Sequence, residues 1–488
     1  MQTGTHRAGV GQFLRSALYP TLGRCFASRT DGLLLVIILI AGFGIRWHFL
    51  GQPMRADESS TFILYVDRGL TDALTYSSPN NHVLHTLLVK LSTTALGTQP
   101  LAIRLPALLC GLLVIVLSYC VARQNEADGI LAALVAGSSP YLILYSTNAR
   151  GYTLLVCLTL LLTLIAPLFA RNPSRGASTA FAIVGALGML TMPTMAFPLA
   201  GLFLWVAYLG LCAGHPPARY LVRDVGTCAL KTLAITALFY TPVFWFSGYR
   251  AVLSNEFVTS QDLHSFAANL RWHIEATLVQ FSRDWPKVFL VLCVATFVYG
   301  LFRGAQKARC RTTSLIVCML IGGAALLLAN HRIPFERTWI YFIPLIAIVA
   351  DVGLSATLRA MNPTIRRILL FTGVMAALAI PFMLVNENAI ENNNDTGVYQ
   401  DAPKVGKAIA AVLAPGDGIF IPCCESYSLF YYLRHFGAPP YVYGKVSATG
   451  STYYVVPKDH QLKDLDPSLP APQPWRDIGD TSIYRVNQ

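Results

Sequence analysis

Apolar runs long enough to cross a bilayer, which takes roughly 20 residues of helix, alternate along this chain with short polar connections. The pattern predicts about eleven spans, at 31–50, 104–122, 127–147, 151–170, 177–192, 195–212, 227–246, 287–302, 313–330, 338–357 and 367–385. "SSP" and "TMPTM" make the turns inside 127–170 and 177–212, and either pair has room for a re-entrant segment. Between the first two spans, Leu84, Leu87, Leu88, Leu91 and Ala95 recur at helical spacing, with His82, Thr86 and Thr93 on another face. A helix that short does not span, and it is expected to lie on the membrane surface. A companion helix is expected over 58–68, with Asp57 as its N-cap and Gly69 closing it. In the loop at 247–286, Leu263, Phe266, Leu270, Ile274 and Leu278 predict one or two further amphipathic helices.

Beyond about Asn386 the pattern changes. "NENAIENNND" reads as a polar linker, and "DAPKVGKAIAAVLAPGD" and "SYSLFYYLRHFG" as helices. "GIFIP", "YVYGKV", "STYYVVP" and "SIYRV" read as strands. The expected fold is a polytopic α-helical membrane protein with interfacial helices in its first outer loop and a small C-terminal α/β domain. Its parts are an N-terminal tail at 1–30, a membrane domain at 31–385 with outer loops at 51–103 and 247–286, and the final domain at 386–488.

Charge gives the orientation, because Lys and Arg collect in cytoplasmic loops. The tail, with Arg7, Arg15, Arg24 and Arg29, is too polar and too long for the n-region of a signal peptide and is expected inside. The loops carrying Arg123, Arg171 with Arg175, Arg219 with Arg223, Arg303 to Arg311, and Arg359 with Arg366 and Arg367 then also fall inside. That leaves 51–103, 247–286, "NHRIPFERTW" and 386–488 together on the outer face.

Composition agrees, with 54% hydrophobic and 13% charged residues in 488. The formal net charge of +12 does not indicate nucleic acid, since the basic residues are spread over short loops. Eleven cysteines show no zinc-ligand or disulfide spacing, and the adjacent pair Cys423 and Cys424 could close on each other only with strain. Neither a P-loop nor a dinucleotide fingerprint is present, so soluble nucleotide chemistry has no support.

A first span followed at once by "MRADESS", then interfacial helices, "RLPALLCGLLVIVLSYCVAR", "SSPYLILYSTNARGYTLLV" and late in the chain "FERTWIYFIPL" resembles the GT-C class of membrane glycosyltransferases. The resemblance runs over about 31–360 and is carried by order and spacing more than by any one motif. It is nearest to the bacterial branch similar to protein O-mannosyltransferases and to the aminoarabinose transferases that modify lipid A. The resemblance implies inverting transfer of a sugar from a polyprenyl (undecaprenyl or decaprenyl) monophosphate to an acceptor on the outer face of a bacterial inner membrane. It implies a glycan, lipid or protein as acceptor and no nucleic acid partner.

Such a donor already carries a good leaving group, so the residues needed are a base for the acceptor hydroxyl and cations for the phosphate. Asp57 is the expected base, just beyond the membrane, and Glu58 its helper, orienting groups, sharing a proton or binding sugar hydroxyls. The competing reading makes Asp57 a helix N-cap with Glu58 in the first turn. Arg150 and Arg337 are the expected phosphate cations, with Tyr152 the aromatic beside Arg150, while Arg55, also a candidate for binding substrate, and Arg46 are available as cations for the acidic pair. Competing readings are a snorkelling Arg150 and a plain Arg337–Glu336 pair. Lys90 is an interfacial lysine within reach of lipid headgroups. Asn81 and His82 are candidates for binding sugar or acceptor. No cofactor is called for, although His82 and His85, three apart, could share a divalent metal given a third ligand such as Asp57, Glu58 or His331. A transporter or flippase of lipid-linked sugars is the alternative; it would rest on polar residues at mid-span, whereas Asp351 and Lys231 lie towards span ends. A scaffold or sensor would leave the acidic pair and "NARGY" unexplained.

Overall fold

The computed structural model describes residues 9–26, 28–253, 257–306, 311–421, 426–439, 446–447, 450–457 and 473–487. Cys423, Cys424 and the first five residues of "YVYGKV" lie outside them. Among the described residues, eight helices are long and apolar enough to cross a membrane: Arg29–Phe49, Pro100–Gln124, Tyr152–Arg171, Pro193–Cys212, Pro217–Ser247, Arg311–Asn330, Glu336–Leu358 and Pro363–Asn386. The chain is a multi-pass membrane protein.

The other three expected spans are helical but not simple rods. Residues 130–146 form two pieces, Ile130–Ser138 and Pro140–Ser146, because Pro140 brings no N–H and Ser139 is extended at φ −60° and ψ 120°. The break exposes two carbonyls inside the protein. Arg46 fills them, donating through Nη1 to Gly137 O at 2.8 Å and through Nη2 to Ala136 O at 3.1 Å. Irregular backbone at membrane depth is tolerated where such a partner exists, so Arg46 serves the backbone and not a ligand. Arg175–Thr191 has 17 residues and turns at Met192 and Pro193 into the next helix, where "TMPTM" predicted the turn. Lys287–Arg303 follows Leu263–Ser282 at a bend of 116°. The 247–286 loop thus carries one 20-residue helix, capped by Asp262, which accepts from His264 N at 3.0 Å and Ser265 N at 3.1 Å.

The loop at 51–103 holds its two short helices. Val83–Leu96 is the short helix that the spacing predicts. Its companion begins earlier than expected, as Ala56–Thr61, and runs on as one π-helical turn over Phe62–Val66. Lys90 donates through Nζ to Val66 O at 2.9 Å and to Arg68 O at 2.5 Å, capping the end of that turn rather than reaching for lipid.

The C-terminal sheet has the order β1-β2-β4-β3, from Gly418–Phe420, Ser451–Pro457, Arg476–Ile478 and Thr481–Asn487. β1 runs parallel to β2, and β4 pairs antiparallel with β2 and β3. Helices Ala402–Ala410 and Ser426–His435 cover it through Val405, Ile409, Leu429 and Leu433. The other face of Ser426–His435 meets the loop at 51–103. Tyr432 OH accepts from Met54 N at 3.0 Å, Tyr431 OH donates to Thr98 O at 3.0 Å, and Arg434 pairs with Asp67 at 2.9 Å.

Candidate functional site

The helix that opens with "ADESST" is capped by Arg55, extended at ψ 158°, and not by Asp57. Glu58 closes a capping box by accepting from Arg55 N at 2.9 Å. The N-cap reading of Asp57 is therefore replaced: the structural acid is its neighbour. Glu58 is fully buried and takes four donors, since Arg104 forks onto both of its oxygens and Ala149 N donates to Oε2 at 2.8 Å. A carboxylate accepts about four hydrogen bonds. None of its positions is left for a sugar hydroxyl, so the helper role expected of Glu58 gives way to one of holding. Arg104 is spent as well, donating to Leu50 O, Gln52 O and Pro53 O at 2.6, 2.8 and 3.0 Å.

Successive residues of a helix point about 100° apart, so burying Glu58 turns Asp57 elsewhere. Its carboxylate, 20% exposed, lines a cavity of about 470 Å³ together with Asn80, His82, Arg150, Tyr152 and Arg337. Asp57 Oδ1 accepts from Asn80 Nδ2 at 3.4 Å. Oδ2 lies 3.6 Å from Arg337 Nη2 and 3.9 Å from Arg150 Nη2 and has no hydrogen-bond partner. Apolar walls from Met192, Phe197, Val252, Leu326 and Phe335 complete the cavity.

The two arginines stand on well-tied frames. Arg150, 2% exposed, donates to Thr61 Oγ1 and Asn80 O, each at 2.8 Å, and to Asn80 Oδ1 at 3.0 Å. Arg337 donates to Asp395 Oδ1 at 2.9 Å and lies with its guanidinium carbon 4.5 Å from the Phe335 ring and 5.9 Å from that of Tyr152. Glu336 pairs with His273 at 3.5 Å, so the plain Arg337–Glu336 pair is not what forms. The Nε of each arginine is buried without a partner. Burying a guanidinium N–H unpartnered is costly, and both belong to residues that line the cavity.

His82 adds a third donor. Its Nδ1 accepts from Gly151 N at 2.9 Å, which puts the proton of the neutral ring on Nε2. Burial, with Arg150 next in weight, keeps the ring well below the ordinary imidazole range and so neutral. Nε2–H and Arg150 Nη2 are then two donors 3.3 Å apart, an arrangement that calls for an acceptor oxygen between them. The same arrangement disfavours a cation. Among the described residues no three of His, Cys, Asp and Glu come together as metal ligands, and a site on His82 and His85 lacks its third member.

Three expected binding residues are placed differently. Asn81 is buried and donates to Ala73 O at 3.1 Å and Thr75 O at 2.6 Å while accepting from Thr86 Oγ1 at 2.7 Å, so it folds the loop. Its neighbour Asn80 faces the cavity instead. Arg55 donates to the carbonyls of Ile390, Asn393 and Asp395 at 2.5, 2.6 and 2.9 Å, and burial lowers it only to about 10, so it stays charged. His85 is buried with neither ring nitrogen partnered.

The "NENAIENNND" stretch is no mere linker. Ile390, Asn393 and Thr396 are buried, and Asp395 accepts from Tyr141 OH at 2.9 Å and Tyr145 OH at 2.6 Å as well as from Arg337. Thr396 O and Gly397 O accept from Asp57 N and Ala56 N at 3.1 and 3.0 Å, tying this strap to the start of the acidic helix. Sequence reasoning missed Arg104, Asn80 and Asp395. Only Arg104 had a signal, as the charged residue inside "RLPALL".

Residues 80–245 match the family model described as dolichyl-phosphate-mannose-protein mannosyltransferase. The match takes in Asn80, His82, Arg104 and Arg150, while Asp57, Glu58, Arg337 and Asp395 lie outside it. The fold is similar to that of ArnT from Cupriavidus metallidurans, solved in the apo state and bound to undecaprenyl phosphate. Each comparison gives a TM-score of 0.59 and 16% identity over 94% of this chain and 98% of that one. Arabinosyltransferase EmbB from Mycobacterium smegmatis is similar over 70% of this chain and 31% of its own, with 15% identity and a TM-score of 0.42. No curated protein sequence matches. The resemblance read from the sequence is thus met by a family model over part of the chain and by a shared fold over nearly all of it.

Two expectations follow for stability in detergent. Glu58→Gln leaves Arg104 buried without its counter-charge and is expected to cost about 3–5 kcal/mol. A far smaller fall in unfolding midpoint for Asp57→Asn, whose ion pairs are long, would accompany it; equal falls for the two variants contradict the division drawn here. Burial and Arg150 hold His85 down to about 3, against about 6.5 when unfolded. Between those values the unfolded chain binds the extra proton, so stability falls as pH drops from about 6.5 towards 3, by at most ~1.4 kcal/mol per unit for this one group. His85→Phe should flatten the loss of midpoint between pH 7 and pH 5, and an unchanged slope argues against a buried neutral His85.

Proposed function

We propose that the protein is an inverting glycosyltransferase that moves a sugar from a polyprenyl monophosphate to a hydroxyl-bearing acceptor on the outer face of a bacterial inner membrane. The observation that carries this reading is the cavity in which a carboxylate oxygen of Asp57 without a hydrogen-bond partner lies 3.6 Å from Arg337 Nη2 and 3.9 Å from Arg150 Nη2. Asp57 follows the first span by eight residues, Arg150 lies two residues before the span Tyr152–Arg171, and Arg337 is the second residue of the span Glu336–Leu358. All three sit at span ends, where a donor anchored by its lipid chain presents its sugar. The basic loops support an inside N-terminus and an outer position for the site. ArnT, which shares the fold, has been solved with undecaprenyl phosphate bound.

In this reading Asp57 takes the proton of the acceptor hydroxyl as its oxygen attacks the anomeric carbon from the side opposite the phosphate. The bond from that carbon to the phosphate oxygen breaks, and its electron pair leaves with the polyprenyl phosphate. The configuration at carbon inverts. Charge grows on the departing phosphate, where Arg150, Arg337 and His82 Nε2–H stabilise it in a site partly closed to water. Tyr152, whose ring edges His82 with centroids 5.2 Å apart, walls the sugar side. The apolar wall suits the first isoprene units of the donor. The identity of sugar and acceptor is a matter for assay with a panel of polyprenyl phosphate sugars.

With purified protein and such a panel, Asp57→Asn is expected to lose about 10²–10⁴-fold in transfer rate while binding donor as the parent does. Full activity in that variant sinks the mechanism. Arg337→Ala should weaken donor binding by about 10- to 100-fold, as loss of a charge-assisted phosphate contact predicts; unchanged affinity removes it from the phosphate site.

A further inference from the structure

We propose that Asp395 is a positioning residue, which the segment between the last span and the C-terminal domain contributes to hold Arg337 open towards the cavity. The proposal rests on the reading of that cavity as a phosphate site. Arg337 has two carboxylates within reach. Nη1 bonds Asp395 at 2.9 Å, whereas Nη2 stays 3.6 Å from Asp57, and Nε is unpartnered. Opposite charges this close at a site shielded from water attract strongly. Something must therefore keep Arg337 from closing on Asp57, which would occupy the base's free oxygen and withdraw the donors meant for phosphate.

Asp395 is built to do this. Oδ2 is held by the Tyr141 and Tyr145 hydroxyls at 2.9 and 2.6 Å, which leaves Oδ1 to Arg337. Its backbone N donates to Asn393 Oδ1 at 2.9 Å, and its carbonyl accepts from Arg55 at 2.9 Å, so the carboxylate has no freedom to follow Arg337. One and two residues on, the carbonyls of Thr396 and Gly397 accept from the backbone of Asp57 and Ala56. One rigid segment thus fixes both the base and the arginine, and with them the gap between. Gly397 makes this approach possible: at φ 73° with its missing Cβ 2.7 Å from Ala56 Cβ, no other residue fits.

Binding of undecaprenyl phosphate to the purified full-length protein tests the proposal without requiring the sugar or the acceptor. Parent, Asp395→Asn, Arg337→Ala, the double variant and Asp395→Glu are compared for affinity and unfolding midpoint. Asp395→Asn is expected to weaken binding roughly tenfold on its own, to add nothing in the Arg337→Ala background, and to be largely rescued by Asp395→Glu. Binding by Asp395→Asn equal to the parent's overturns the proposal, as do losses that multiply in the double variant, which mark a structural role independent of Arg337. Should Asp395→Asn not fold, Tyr145→Phe loosens the same carboxylate and is expected to show a smaller loss with the same non-additivity; losses that multiply again overturn the proposal. A parent that does not bind undecaprenyl phosphate removes the phosphate-site reading itself.

Discussion

Glu58 is buried where water cannot reach it, and an isolated carboxylate there would cost several kcal/mol in lost hydration. Arg104 and the amides of Arg55 and Ala149 replace that hydration completely. The three donating residues come from the chain just past the first span, from the helix Pro100–Gln124, and from the turn before Tyr152–Arg171. None of these segments can move without exposing a charge. The turn carrying Arg150 and the helix carrying Asp57 are consequently fixed relative to each other by a group that touches no substrate in the proposed chemistry.

The buried arginines divide by the same logic. Arg46, Arg55 and Arg104 spend their donors on backbone carbonyls or on Glu58, at places where a helix breaks or a loop crosses another. Arg150 and Arg337 keep a buried Nε without a partner and line the cavity. A guanidinium spent on the backbone away from any cavity holds the chain together, and one left incomplete at a cavity wall is ready for an anion. Residue type alone does not separate the two groups, and neither does an unpartnered Nε, which Arg46 shares; the ledger of hydrogen bonds taken with the cavity wall does.

That ledger also explains what was legible in the sequence. Hydropathy finds the spans because each contributes an independent local signal, and Pro140 and Pro193 mark the breaks because proline acts on its own backbone. The position of Asp57 after the first span was legible, and so was its company with Arg150, Arg337, His82 and Tyr152. The roles within the acidic pair were not, since which of two adjacent residues turns inward depends on Arg104, 46 positions away. The choice between Asn80 and Asn81 turns likewise on a loop closed by Ala73 and Thr75 carbonyls. Asp395 lies in a stretch too polar to register as buried, because its partners are phenols and a guanidinium from distant spans.

The strap at 390–397 connects these points. A polar segment is cheap to bury only when its carbonyls and side chains meet donors already in place, and here Arg55, Asn148, Tyr141, Tyr145 and Arg337 supply them. In return the strap receives the N–H groups of Ala56 and Asp57, which the start of any helix leaves unpaired. The helix that presents Asp57 is therefore completed by chain that follows the last span. Its first turn is capped from within by Glu58 and from without by the strap, so the carboxylate between them has one direction left to face, and that direction is the cavity.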